Sequence, residues 1–157
     1  MQPHKGLPYP QRAWAIATVL SGLVMAVLDG SIANIALPSI SRQLHTDPAS
    51  TIWVVNAYQL TVTVCLLPLS SLGDILGYRR VYRAGMAIFL VGSLLCALAV
   101  NLPMLVAARV LQGIGGAGIM SVSSALVRFI YPPEQLGRGI GFNALAAGVS
   151  AAAGPSI

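Results

Sequence analysis

Charge is scarce in this sequence. Only 8% of its 157 residues are charged, against roughly a quarter in an ordinary soluble domain, while 56% are hydrophobic and the mean hydropathy is +0.78. A water-soluble fold of this size has too little interior to hide that much apolar surface. Histidine and cysteine are nearly as scarce, with two of each. Cys65 and Cys96 both fall inside apolar runs with no second Cys or His at metal-ligand spacing, so they read as two buried thiols and no metal is expected. His4 and His45 lie outside those runs, and no nucleophile is paired with a base, which leaves an enzymatic reading without support and no cofactor expected. The formal charge of +5 does not indicate nucleic acid. Such a footprint needs basic residues clustered on one face, whereas here they sit at the edges of apolar segments, where an anionic membrane leaflet is the natural partner.

What is present is a series of long apolar runs, so the expected fold class is an all-α membrane protein. Residues 1–12 are polar and proline-rich and read as a cytoplasmic tail. Spans are expected at about 13–38, 51–72, 81–100, 104–127 and 139–157, each near the roughly 20 residues needed to cross hydrocarbon. The first run has the basic start of a signal peptide, but it is long, lacks a clean small-x-small cleavage site and is followed by more spans. It is therefore read as a retained helix. With the amino terminus inside, the inner segments carry Lys5, Arg12, Arg79, Arg80, Arg83, Arg128 and Arg138, and the outer loops carry Arg42 alone. That asymmetry orients the chain. Trp14 and Trp53 stand at span ends, where interfacial anchors belong. Five spans make no compact symmetric bundle, and Gly154-Pro155 looks like the middle of a helix, so the chain is expected to be the front part of a larger protein.

Asp29 is the only charge in the first span and Arg109 the only one in the fourth. At 1.5 Å per residue they lie roughly 14 Å and 8 Å from the outer ends of their spans, within reach of one another. A desolvated carboxylate can gain a proton and lose it when a guanidinium approaches, whereas arginine stays charged. The two residues are thus either a proton switch or a static lock between helices. Gln112 follows Arg109 by one turn, and Gln112, Asn34 and Asn56 are candidates for hydrogen bonds between helices. Ser121, Ser123 and Ser124 are expected to bond their own helix backbone. Residues 113–118 match G-x-G-x-x-G, but no strand precedes them and the nearest downstream acid, Glu134, lies in a loop. Gly113 and its neighbours are therefore expected to let another helix approach closely, and Ala144, Gly148 and Ala152 repeat that small-residue spacing in the fifth span.

These residues resemble the major facilitator superfamily, and within it the fourteen-helix drug/proton antiporter branch. Residues 28–38, with Asp29, Asn34 and Pro38, resemble that branch's first-helix signature. Asp74, Gly77, Arg79 and Arg80 fit the superfamily's loop between helices two and three, although Ser70, Ile75 and Tyr78 replace its usual glycine and basic residues. Residues 109–113 resemble the fourth-helix arginine motif, and Gly154-Pro155 the start of the fifth-helix antiporter motif. The resemblance implies the first five helices of a bundle working by alternating access, with Asp29 and Arg109 in proton coupling and the Asp74–Arg80 turn as a gate that docks on a second half of the transporter. It further implies proton-coupled efflux of drugs or other lipophilic or cationic molecules, from a multi-pass protein of the plasma membrane, bacterial inner membrane included. Two alternatives stay open at this point: a non-transporting fragment or helical partner module, and a uniporter or symporter.

Overall fold

The computed structural model describes residue 8 and residues 10–131 and 135–153. Among these every regular element is helical: α1 (Gln11–Gln43), α2 (Pro48–Thr51), α3 (Trp53–Leu76), α4 (Tyr78–Ala97), α5 (Leu102–Ile130) and α6 (Leu136–Ala153). Four stretches are long and apolar enough to cross a membrane, namely α1, the nearly continuous α2–α3 segment, α4 and α5. In α6 the apolar part runs over Gly139–Ser150.

Helix ends follow local chemistry and differ from the expected span edges. α1 continues through Pro38 for another turn, where the Arg42 Nε donates to the Pro38 carbonyl at 3.3 Å. Proline is tolerated inside such a helix because neighbours and side chains can meet the freed backbone groups. The stretch expected as a polar loop therefore starts helical, and it also holds α2, which Asp47 caps by accepting from the Ser50 amide. α4 ends at Ala97, short of the expected Val100. Asn101 then caps α5 by accepting from the Met104 amide at 2.9 Å, with Pro103 in the first turn, so the gap between the expected spans 81–100 and 104–127 holds the beginning of a helix.

α5 is the central element, packed against α1, α3, α4 and α6. It can take that place because small residues cover its faces. A Cβ on Gly115 would fall 2.3 Å from the Phe89 amide nitrogen, and one on Gly118 3.1 Å from the Gly85 Cα, so α4 and α5 touch backbone to backbone. Gly113 meets the Tyr58 carbonyl and Thr61 of α3 in the same way. In lipid such close approach is a principal source of helix association, because burying apolar side chains gains little when the solvent is also hydrocarbon. Hydrogen bonds add to it. Tyr82 Oη donates to the Thr18 carbonyl at 2.7 Å and Tyr58 Oη to the Ala26 carbonyl at 3.0 Å, tying α4 and α3 to α1.

Candidate functional site

Four helices converge on one charged cluster. Asp29 projects from the middle of α1, roughly 27 Å from its amino-terminal end and 21 Å from its other end. Arg109 and Gln112 are three residues apart on α5 and so share a face. The Arg109 Nη1 donates to Asp29 Oδ2 at 2.6 Å and to Gln112 Oε1 at 2.8 Å, and the Gln112 Nε2 donates to Asp29 Oδ1 at 2.9 Å. Both carboxylate oxygens are thus held from α5. From α3, Val54 offers its carbonyl to the Arg109 Nε at 3.2 Å and the Tyr58 ring lies 4.6 Å from the guanidinium carbon. From α4, the Cys96 thiol donates to Gln112 Oε1 at 3.5 Å.

Burial is unequal across the pair. The Arg109 side chain is 5% exposed and that of Asp29 is 25% exposed. Asp29 is therefore the less covered member of the pair among the described residues. The Arg109 Nη2 is buried without a hydrogen-bond partner among the described residues, and the Tyr58 face offsets part of that loss through a cation–π contact. A guanidinium with a spare donor can exchange one acceptor for another without leaving its site.

The basic turn has a different construction. A single residue, Gly77, separates α3 from α4, with φ 94° and ψ 132°, a conformation that favours glycine. Asp74 lies in the last turn of α3, and Arg79 and Arg80 in the first turn of α4, all three exposed. Asp74 accepts a hydrogen bond from Tyr78 Oη, and the Tyr78 ring also packs beside Phe129 of α5 with centroids 5.7 Å apart. Among the described residues the Arg109–Asp29 contact is the ion pair, and neither Arg79 nor Arg80 bridges Asp74.

A family model described as Major Facilitator Superfamily matches residues 19–157. The chain belongs to this superfamily. It is 58% identical to the "Uncharacterized transporter YebQ" of Escherichia coli (strain K12), over 97% of this chain and 33% of that protein. It is also 34% identical to the riboflavin transporter RibZ of Clostridioides difficile (strain 630), over 94% of this chain and 32% of that protein. A drug efflux pump of Mycobacterium tuberculosis, JefA, is 39% identical over 94% of this chain and 29% of its own length. The chain thus spans about a third of the length of the curated relatives it matches. Membership and the apolar helices together make it a multi-pass membrane protein.

Within this superfamily frame, the sequence-selected residues fall into two groups. Asp29, Arg109 and Gln112 come together, and Gly113 lies in the α5–α3 contact. Among the described residues Asn34 makes no hydrogen bond between helices: its Nδ2 donates to the Gly30 carbonyl of its own helix at 3.0 Å. The spacing of Asn34 four residues after Gly30 makes that local bond the easier one. Gly148 is likewise not a packing position against the described helices. A Cβ there meets nothing within 4 Å, and Ala144 beside it is exposed, because α6 presents another face to α1 and α5. Ser121 and Ser123 bond their own helix at the Gly118 and Ile119 carbonyls. Gly154 and Pro155 lie outside the described residues. Sequence reasoning missed Tyr58 and Cys96 as members of the cluster. A tyrosine well inside an apolar span, whose hydroxyl needs a partner there, was the available signal for the first.

Proposed function

We propose that the chain forms the leading helices of a secondary active transporter of the bacterial inner membrane, with its amino terminus in the cytoplasm, that exchanges protons for lipophilic or cationic small molecules by alternating access. The observation that carries this reading is the Asp29–Arg109–Gln112 cluster inside the spans, in which a buried, permanently charged guanidinium faces a partly exposed carboxylate. Proton arrival at Asp29 removes the charge that Arg109 neutralises. The guanidinium then turns toward other acceptors, α1 is released from α5, and loss of the proton restores the pair. Further support comes from the outward surface. Asn56, Gln59 and Thr63 are exposed on α3 among Leu60, Val64 and Leu67, and Asn34 is exposed on α1, whereas the exposed large side chains of the α4 apolar run are Leu90, Val91 and Leu94 with no exposed carboxamide among them. Unpaired carboxamides are costly in hydrocarbon and apolar side chains are not, which fits a water-lined cavity on the α1–α3 side and lipid on the α4 side. The names of relatives such as JefA favour efflux of drugs.

In this reading the bundle is completed by a second set of helices, against which Asp74, Gly77, Arg79 and Arg80 act as a gate at the cytoplasmic end. A second reading keeps the transporter and discards proton coupling: because both Asp29 oxygens are already satisfied, the cluster is a fixed clamp and solute moves down its own gradient. The two are separated by reconstituting the protein from its complete reading frame in vesicles and imposing a pH gradient. Coupled exchange predicts solute movement driven by the gradient and abolished by Asp29→Asn; a clamp predicts movement indifferent to both.

A further inference from the structure

The Gln112 carboxamide has one orientation that fits its neighbours. A guanidinium only donates and a carboxylate only accepts, so the Gln112 oxygen faces the Arg109 Nη1 at 2.8 Å and its nitrogen faces Asp29 Oδ1 at 2.9 Å. The Cys96 thiol donates to that same oxygen at 3.5 Å. Oε1 is thus fixed by two donors, one from α5 and one from α4. Packing leaves the side chain no other place, since Gln112 is 1% exposed and a Cβ on Gly92 would lie 2.7 Å from its backbone nitrogen. Cys96 stands one turn beyond Gly92, on the face of α4 that this contact presses against α5.

A proton on Asp29 conflicts with that arrangement. Both carboxylate oxygens face donors, Oδ2 the Arg109 Nη1 and Oδ1 the Gln112 Nε2, so a hydroxyl on either one points hydrogen against hydrogen. The neutral acid could stay in place only if the Gln112 carboxamide turned end for end and offered Oε1 to the new hydroxyl, while Oδ2 went on accepting from Arg109. That turn would set Nε2 against two donors, Nη1 and the thiol. While the guanidinium is in place it opposes the turn by itself. Once it has swung toward other acceptors, Cys96 is the donor left on Oε1 among the described residues. Among those residues the ionisable side chains around Asp29 are Arg109 of α5, Tyr58 of α3, whose hydroxyl donates to the Ala26 carbonyl, and, through Gln112, Cys96 of α4.

We propose that Cys96 is a positioning residue for proton exchange: it holds the Gln112 oxygen away from Asp29, so that the protonated acid finds no acceptor in the cluster and has to leave it. The proton adds to one carboxylate oxygen, and no other covalent bond forms or breaks. The inference rests on the exchange reading above and supplies its direction, since neutralisation leads to release and not to a neutral acid retained on Gln112.

The test uses the protein expressed from its complete reading frame. Infrared difference spectra between neutral and acidic buffer follow the Cys96 S–H stretch, which Cys96→Ala distinguishes from that of Cys65, and the protonated carboxyl band, which Asp29→Asn assigns. In wild type the S–H stretch is expected to move to lower wavenumber as the carboxyl band appears, because Oε1 is no longer shared with Arg109; in Asp29→Asn it stays where it is. In the vesicle pH-gradient experiment, Cys96→Ala is expected to lower the ratio of gradient-driven to gradient-free solute movement on the order of two- to three-fold, the effect of one weak hydrogen bond, and Cys96→Ser to restore it. An S–H stretch indifferent to acidification in a wild type that couples, unchanged coupling in Cys96→Ala, or failure of Cys96→Ser to restore it overturns this assignment alone. Wild-type movement indifferent to the gradient overturns the transport reading, and the assignment with it.

Discussion

Neutralising Asp29 is the perturbation that asks most of the structure. Asp29→Asn preserves shape and one acceptor oxygen but leaves Arg109, whose side chain is 5% exposed, without its counter-charge. Removing one partner of a buried ion pair typically destabilises by about 3–5 kcal/mol. Two features lower the figure here. The asparagine oxygen can still accept from Nη1, and the described residues leave Asp29 a quarter exposed, so the site is not fully desolvated by them. An expected loss of about 2 kcal/mol follows from that range. Arg109→Gln costs less on the charge side, because the carboxylate left behind can hydrate or take a proton, though it also loses the Val54 and Tyr58 contacts. In the double variant no charge is stranded, so the two losses fall short of their sum by at least about 1 kcal/mol, beyond the roughly 0.5 kcal/mol within which independent sites add. The assay is reversible unfolding of detergent-solubilised wild type, both single variants and the double variant. Strict additivity would refute the view that the pair is a coupled, desolvated unit, and with it the physical basis for a proton switch.

Four further outcomes follow from the geometry. Gly115→Ala puts a methyl 2.3 Å from the Phe89 amide nitrogen, a backbone atom that cannot give way alone, and should lower stability in detergent unfolding by about 1–3 kcal/mol or more. Gly148→Ala meets open space and should be neutral or, by helix propensity, stabilising by up to about 1 kcal/mol; a large loss in the same assay would mean that this face is covered in the assembled protein. Gly77→Ala forces a side chain onto a backbone with φ 94° and should destabilise by roughly 1–3 kcal/mol, with the change appearing as faster proteolysis at the α3–α4 junction. Tyr58→Phe removes the hydroxyl bond to the Ala26 carbonyl but keeps the ring under Arg109, so a loss of about 0.6 kcal/mol is expected, while Tyr58→Leu loses the cation–π contact as well and should exceed it when the two are unfolded side by side.

Most of the fold was legible because a bilayer leaves few options: long apolar runs must be helices, and the few charges must sit at ends or face one another. That is why Asp29 and Arg109 could be paired from rise per residue alone. The glycines of residues 113–118 were legible for the same reason, since no other use survives inside an apolar run. Details set by single side-chain bonds were not. Arg42 carrying α1 past Pro38, Asn101 turning a presumed loop into a helix start, and Asn34 bonding within its own helix each depend on a local contact worth about 1 kcal/mol, which periodicity does not encode. The stripe of Ala144 and Gly148 meets no described helix for a related reason. Small residues permit close packing on a face but do not say which face a neighbour occupies.

The position of the charged cluster relative to the glycines explains why α5 can carry both. A Cβ on Gly92 would lie 2.7 Å from the Gln112 backbone, and Gly113 and Gly116 bring α3 so close that the Tyr58 ring and the Val54 carbonyl reach Arg109. On two sides, then, from α4 and from α3, Arg109 and Gln112 are held by close contacts at glycines. Asp29 reaches them from α1, whose link to the rest runs through longer side-chain bonds such as Tyr82 to Thr18 and Tyr58 to Ala26. α1 also packs on α4 at Gly22 and buries Val19, Leu23 and Ala26, but its contacts are with side chains, whereas α4 and α5 meet backbone to backbone, so α1 is the element with more freedom to shift. In the proposed exchange, protonation of Asp29 acts on the joint between α1 and α5, and the guanidinium turns without leaving its site.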